Sequence, residues 1–280
     1  MSRFRTAAPW LVAVLLTLAL AAFQRLTGPT HPIRGRFELQ GREHAYRLPR
    51  SHGGPAGLEV RVSVPPEVTG TLLWRRYPTD GDWQGLPMSP SPRGLGAEIP
   101  HQPPAGKVEY RLVLEDAGRR VMVPSGRSVV ARFKGKVPAA ALIPHILAMF
   151  TGMLVATRAL LAAVVPGSKP AHRSVLVAAM LMAVGGLVLG PIVQRHAFGA
   201  YWTGWPLGED LTDTKTLVAI LAWLPATAFA LRRRTSRVAV VIGWTVMMGI
   251  FLIPHSRWGS QLDWESHPAA VREAPSDPRQ

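Results

Sequence analysis

Between residues 139 and 255 the chain consists mostly of four apolar segments, at about 139–165, 174–195, 214–231 and 238–255. Each is close to the roughly 20 residues needed to cross a hydrocarbon core. Backbone amides in lipid have no water to bond, so segments of this kind must be helices. A further uncharged run at 7–23, preceded by Arg3 and Arg5, reads as a transmembrane anchor or a signal segment, and the uncleaved anchor is preferred. Residues 26–137 are different: polar, and rich in Pro, Gly and Arg. The expected organisation is an N-terminal anchor or signal segment at 1–25, a solvated domain at 26–137, a four-helix transmembrane domain at 138–256 and a polar tail at 257–280, disordered beyond 265.

Flanking charge orients these segments. The connection 166–173 carries Lys169 and Arg173, and the connection 232–237 reads Arg-Arg-Arg-Thr-Ser-Arg. Positive short loops belong on the cytoplasmic side. The connection 196–213 instead carries Glu209, Asp210 and Asp213. A multi-pass protein of a bacterial inner membrane is expected, with its N-terminus inside and both the polar domain and the C-terminus outside the cytoplasm. Arg158 is the charge read as lying within a span, near the inner headgroups where arginine can snorkel.

The formal net charge is +15, from 32 Lys+Arg against 17 Asp+Glu. No recognition helix or RNA-binding motif accompanies it, so nucleic acid is not an expected partner. Cysteine is absent. That excludes disulfides, thiolate metal sites, covalently attached c-type haem and a cysteine nucleophile. No P-loop or dinucleotide fingerprint is present.

The polar domain alternates in short runs beginning at Phe37, Leu58, Gly70, Lys107 and Ser128, with turns at Pro65-Pro66, Pro78-Thr-Asp-Gly81 and Glu115-Asp-Ala-Gly118. An antiparallel β-sandwich of about one hundred residues is expected. Gly106-Lys-Val-Glu-Tyr110-Arg-Leu resembles the late strand of fibronectin type III and related immunoglobulin-like domains, in which a tyrosine packs at the sheet corner. His44, His52 and His101 have no metal-ligand spacing, so the domain reads as a structural or partner-binding module.

The candidate site is at the outer ends of the helices. His145, His196 and His255 each fall at the end of a different span, and the charge rule puts all three at one surface. Imidazole is a ligand for Zn, Cu and haem iron. Three histidines from three helices could hold copper or zinc, and two could hold haem iron. Tyr201, Trp202 and Trp205 could then flank a porphyrin, with Trp258 and Trp264 nearby. Interfacial belts also collect Trp, Tyr and His, and Thr212 or Asp213 could simply cap the next helix. The GxxxG string at Gly186–Gly190 and the methionines of the spans read as packing.

The loop Phe198-Gly-Ala-Tyr-Trp202-Thr-Gly-Trp205-Pro-Leu-Gly-Glu209 resembles the tryptophan-rich segment of cytochrome c biogenesis haem-handling membrane proteins. Those present Gly-x-x-Trp-x-Trp-Asp-Pro on an extracytoplasmic loop flanked by histidines. Gly199, Trp202, Trp205 and Pro206 match in kind. Gly204 shifts the second tryptophan, and the acid before the proline is missing. The resemblance implies haem handling, with His196 and His255 as flanking ligands. Two functions follow as expectations. One is a haem- or copper-binding, redox-linked membrane protein whose sandwich docks a soluble cytochrome or another envelope protein. The other is a non-catalytic, membrane-anchored scaffold or assembly subunit whose sandwich binds an envelope partner. No residue pattern specifies an enzymatic reaction, and transport is disfavoured by the few spans and the lack of an inverted repeat.

Overall fold

A computed structural model describes residues 2–92, 94–165, 168, 171–254 and 261–264. His255, Trp258 and the tail beyond 264 lie outside the described residues. The chain forms two compact units. Of the described residues, those up to 29 and from 137 to 254 belong to one, and 30–136 with 261–264 belong to the other.

The second unit is all β. Strands β1 (Ile33–Leu39) and β2 (Arg42–Leu48) form a hairpin closed by Gln40-Gly41, both at positive φ. A larger sheet runs in the order β3 (Ser51–Gly53), β11 (Val129–Lys134), β9 (Lys107–Asp116), β5 (Thr69–Tyr77) and β6 (Gln84–Pro87). Strand β10 (Arg119–Val123) folds back onto β9 through the Ala117-Gly118 turn. A third sheet orders β4 (Leu58–Val62), β8 (Gly94–Ile99) and β7 (Ser89–Ser91). Every pairing is antiparallel except β3 with β11. The sheets are open.

Alternation builds the core. In β4, Leu58, Val60 and Val62 point inward while Glu59 and Arg61 face water. They meet Leu72 and Trp74 of β5, Tyr110 and Leu112 of β9 and Phe133 of β11 in one apolar cluster. Tyr110 is fully buried and its hydroxyl donates to the Pro49 carbonyl at 2.7 Å. Burial holds its phenol well above the ordinary pKa, against the opposing pull of the Arg50 guanidinium. The runs expected to be strands are found, but β2, β3, β6, β7, β8 and β10 were not expected. Trp264 was read as lying near the candidate porphyrin site. It is buried in the β-unit, its indole N–H donating to the Tyr77 carbonyl at 3.1 Å and its ring facing the Arg76 guanidinium at 4.6 Å.

The first unit is helical: α1 (Ser2–Thr27), α2 (Ala139–Val164), α3 (His172–Ala183), α4 (Gly190–Phe198), α5 (Leu211–Leu231) and α6 (Arg237–Leu252). A π-helical stretch, Val184–Leu189, joins α3 to α4. Pro191 follows this stretch and has no N–H for the preceding turn, which accounts for the widened ring. Among the described residues four helices are long and apolar enough to cross a membrane: Ala7–Thr27, Ala139–Val164, His172–Phe198 and Leu211–Leu231. Helix α6, expected to run through 238–255, is apolar but shorter.

Small residues bring the helices together. Ala156, Ala159, Ala178, Ala219 and Ala226 are buried around Met153, Met182, Met247 and Trp223. A Cβ on Gly186 would stand 2.5 Å from the Thr216 methyl, so α5 can pack here only against a glycine. Pro144, expected in a first turn, sits in the second turn of α2, since the helix already starts at Ala139. Arg158 has an aromatic neighbour, Trp10 of α1, with its guanidinium 5.7 Å from the ring centroid. A second charge within an apolar segment, Lys215, was not expected. It is buried in α5 and donates to the Ile253 carbonyl at 2.9 Å, which gives a carbonyl past the end of α6 a donor.

Candidate functional site

The loop between α4 and α5 is wound around one carboxylate. Asp213 lies in the first turn of α5, and its Oδ2 accepts from the Thr203 N–H at 2.7 Å, the Gly204 N–H at 3.2 Å and the Gln194 amide at 2.8 Å. Gln194 also reaches the Thr203 hydroxyl at 2.7 Å. The loop approaches so closely that a Cβ on Gly204 would fall 2.5 Å from that of Asp213. The Trp205 N–H donates to the Thr214 hydroxyl at 3.0 Å. Asp210, not Thr212 or Asp213, is the N-cap, and it accepts from the Thr212 N–H at 2.7 Å. Asp210 and Asp213, two of the three acids expected to mark a ligand site, thus hold the loop's own backbone in place.

The aromatic residues of this loop have separate roles. Trp202 is half-buried, and its indole N–H donates to the carbonyls of Gly204 at 3.0 Å and Trp205 at 3.2 Å. Tyr201 and Trp205 are 61% and 62% exposed, so neither ring closes over a shared pocket. The Arg195 guanidinium lies 5.8 Å from the Tyr201 ring centroid and donates to the Gly199 carbonyl.

A cavity of about 320 Å³ opens within the helical unit, lined by residues of α1, α2, α4, α5 and α6. His145 of α2 lines it, with Gln24, Gln194, Asp213 and Thr216 as further polar groups and Met149, Phe150, Met153 and Phe251 as apolar walls. Gln24 donates its amide to the Phe251 carbonyl. The His145 Nδ1 lies 2.8 Å from the Gly185 carbonyl in the π-helical stretch. A carbonyl only accepts, so Nδ1 carries the proton. Nε2 then presents a lone pair, and it has no hydrogen-bond partner among the described residues.

His196 does not share that cavity. On α4, Val193, Gln194 and Ala197 line it, whereas Arg195 and His196 are exposed. Tyr201, Trp202 and Trp205 do not line it either. Of the expected ligands His145, His196 and His255, the first two look into different surroundings and the third lies outside the described residues. Among the described residues no group of three His, Asp or Glu side chains could hold a metal ion. Gln24, Gln194 and Lys215 were missed. The spacing Gly190, Val193, Gln194, Ala197 is one face of a helix, and it would have separated Gln194 from His196.

No protein-family model, curated protein or solved structure matches the chain.

Proposed function

We propose that this protein is a multi-pass protein of a bacterial inner membrane, and that it serves as an anchored scaffold or assembly subunit. Its β-unit, immunoglobulin-like in kind, stands outside the cytoplasm and binds an envelope partner. One observation carries the choice of scaffold over cofactor protein: the Asp213 carboxylate accepts from Thr203, Gly204 and Gln194 of its own unit, which gives that buried acid a role without a ligand. The chain has no cysteine, so single introduced cysteines are clean reporters of orientation. Met122→Cys, on an exposed strand position, should react with an impermeant maleimide in intact spheroplasts. Arg234→Cys should react only after permeabilisation. The reverse pattern would overturn the topology. A colourless, metal-free preparation from replete cells would support the scaffold.

A second reading, in which the protein binds haem or copper, has one observation in its favour. Metal-binding histidines commonly give their other ring N–H to a backbone carbonyl, as His145 does to Gly185. On that reading the β-unit docks a soluble cytochrome. A Soret band or stoichiometric copper that disappears in His145→Ala would decide for it.

A further inference from the structure

The cavity beside His145 combines an oriented acceptor with apolar walls. We propose that it binds the head ring of a membrane-soluble quinol, with a ring hydroxyl donating to His145 Nε2 and the alkyl tail leaving toward lipid. The proposal rests on the membrane reading above and is independent of the scaffold role.

The occupant follows from what the lining offers. Because Nδ1 donates to Gly185, Nε2 requires a donor from the ligand, and a hydroxyl supplies one. The π-helical stretch fixes this arrangement, since its Gly185 carbonyl takes both the His145 ring and the Gly190 N–H. Phosphate headgroups are unsuited: no Lys or Arg is among the described residues lining the cavity, and Asp210 and Asp213 are. A cationic amine would compete with Thr203, Gly204 and Gln194 for the Asp213 carboxylate that holds the loop. What remains is a neutral hydroxylated head. Phe150, Phe251 and Met153 provide aromatic and thioether surfaces for a flat ring. A volume of about 320 Å³ is at the small end for ligand pockets, which suits one ring better than a macrocycle. Ile146 lines the cavity and is also 41% exposed on the outer side of α2, which gives a tail its way out.

The test is calorimetric titration of the full-length protein in detergent with a decyl-substituted benzoquinol kept reduced, and with the same compound oxidised. The quinone has no hydroxyl to donate, so the quinol should bind roughly tenfold more tightly, the value of one hydrogen bond. His145→Asn keeps a donor near Gly185 and removes Nε2, and should bring quinol affinity down to that of the quinone while leaving the quinone unchanged. Gly190→Met should abolish both, because a Cβ there already lies 3.7 Å from the His145 ring. Absence of quinol binding, equal affinity for the two forms, or full quinol affinity in His145→Asn would overturn the proposal. If His145→Asn fails to fold, the comparison of the two redox forms on the unaltered protein decides alone. A chain that passes cysteine labelling yet ignores the quinol would refute this inference and leave the membrane reading standing.

Discussion

In the β-unit the large side chains go inward: Phe133, Tyr110, Leu72 and Leu112 are fully buried, and Met122 is the one large apolar residue of that unit left exposed among the described residues. In the helical unit small residues share the interior: alanines 156, 159, 178, 219 and 226 pack beside Trp223, Met182 and Met247, while Leu147, Leu187, Leu221 and Leu252 face outward. Water drives large apolar groups together, so a solvated unit puts its bulk at the centre. Lipid is as apolar as leucine and supplies no such drive, so helices in it associate through close backbone approach at small residues. On the proposed membrane reading the two halves of one chain answer to two solvents, and the same substitution should have different consequences in each.

The largest effect is expected from Phe133→Ala. It removes a fully buried ring from the β core and should cost about 3–5 kcal/mol, lowering the β-unit's calorimetric transition. A cost below about 1 kcal/mol would mean that the unit lacks the close-packed interior described here. Next comes Asp213→Ala, which leaves two loop N–H groups and the Gln194 amide without their acceptor. A loss of about 3 kcal/mol is expected, seen as faster proteolysis within residues 199–210. An Asp213→Ala protein as stable and as protease-resistant as its parent would free the carboxylate for ligand binding. Gly186→Leu sharpens the contrast most directly, because adding apolar bulk to the helical interior should destabilise by about 1–3 kcal/mol in detergent. Leu147→Ala, on the outward face, should be nearly silent.

Back in the β-unit, Tyr110→Phe should cost about 1 kcal/mol, for the lost bond to Pro49. Tyr110 also sets an alkaline limit. Its folded pKa is raised by burial, so below about pH 10 both folded and unfolded forms keep the proton and stability is unaffected. Above that the unfolded chain ionises first, and stability falls until the pH passes the raised folded value. Melting followed from pH 8 to 11 should show this decline in the parent and a shallower one in Tyr110→Phe.

Much of this was legible beforehand, for definite reasons. The helices at 139–165 and 214–231 could be placed within a residue or a few because long runs with a single charge each keep their apolar character over many turns. Strand β2 was not legible. Its sequence, Arg-Glu-His-Ala-Tyr-Arg-Leu, is mostly polar, and its pairing is set by the Gln40-Gly41 turn. For the two histidines within the described residues, depth along the helix was legible but the angle around it was not. His145 and His196 each end a span near the cavity, yet only the first faces it. Depth can be read by counting residues, whereas azimuth depends on helix phase, and the widened turn at Val184–Leu189 shifts that phase. Trp264 was misplaced because nothing in a tryptophan says which of two units will bury it.

The docking of residues 261–264 on the β-unit has a consequence for the bilayer. The chain leaves that unit at Lys136 and is back on it at Gln261, whose side chain takes a hydrogen bond from Lys107 at 2.7 Å. In the proposed membrane orientation a departure and return on one face demand an even number of crossings. Helix α2, the α3–α4 rod and α5 make three, so α6 must be the fourth although it has only 16 residues. At 1.5 Å per residue it reaches about 24 Å, short of a hydrocarbon thickness of about 30 Å. On that orientation a bilayer would thin around α6, with Arg237 at its start reaching for the headgroups, and the hydrophobic mismatch would favour the thinner of two available bilayers.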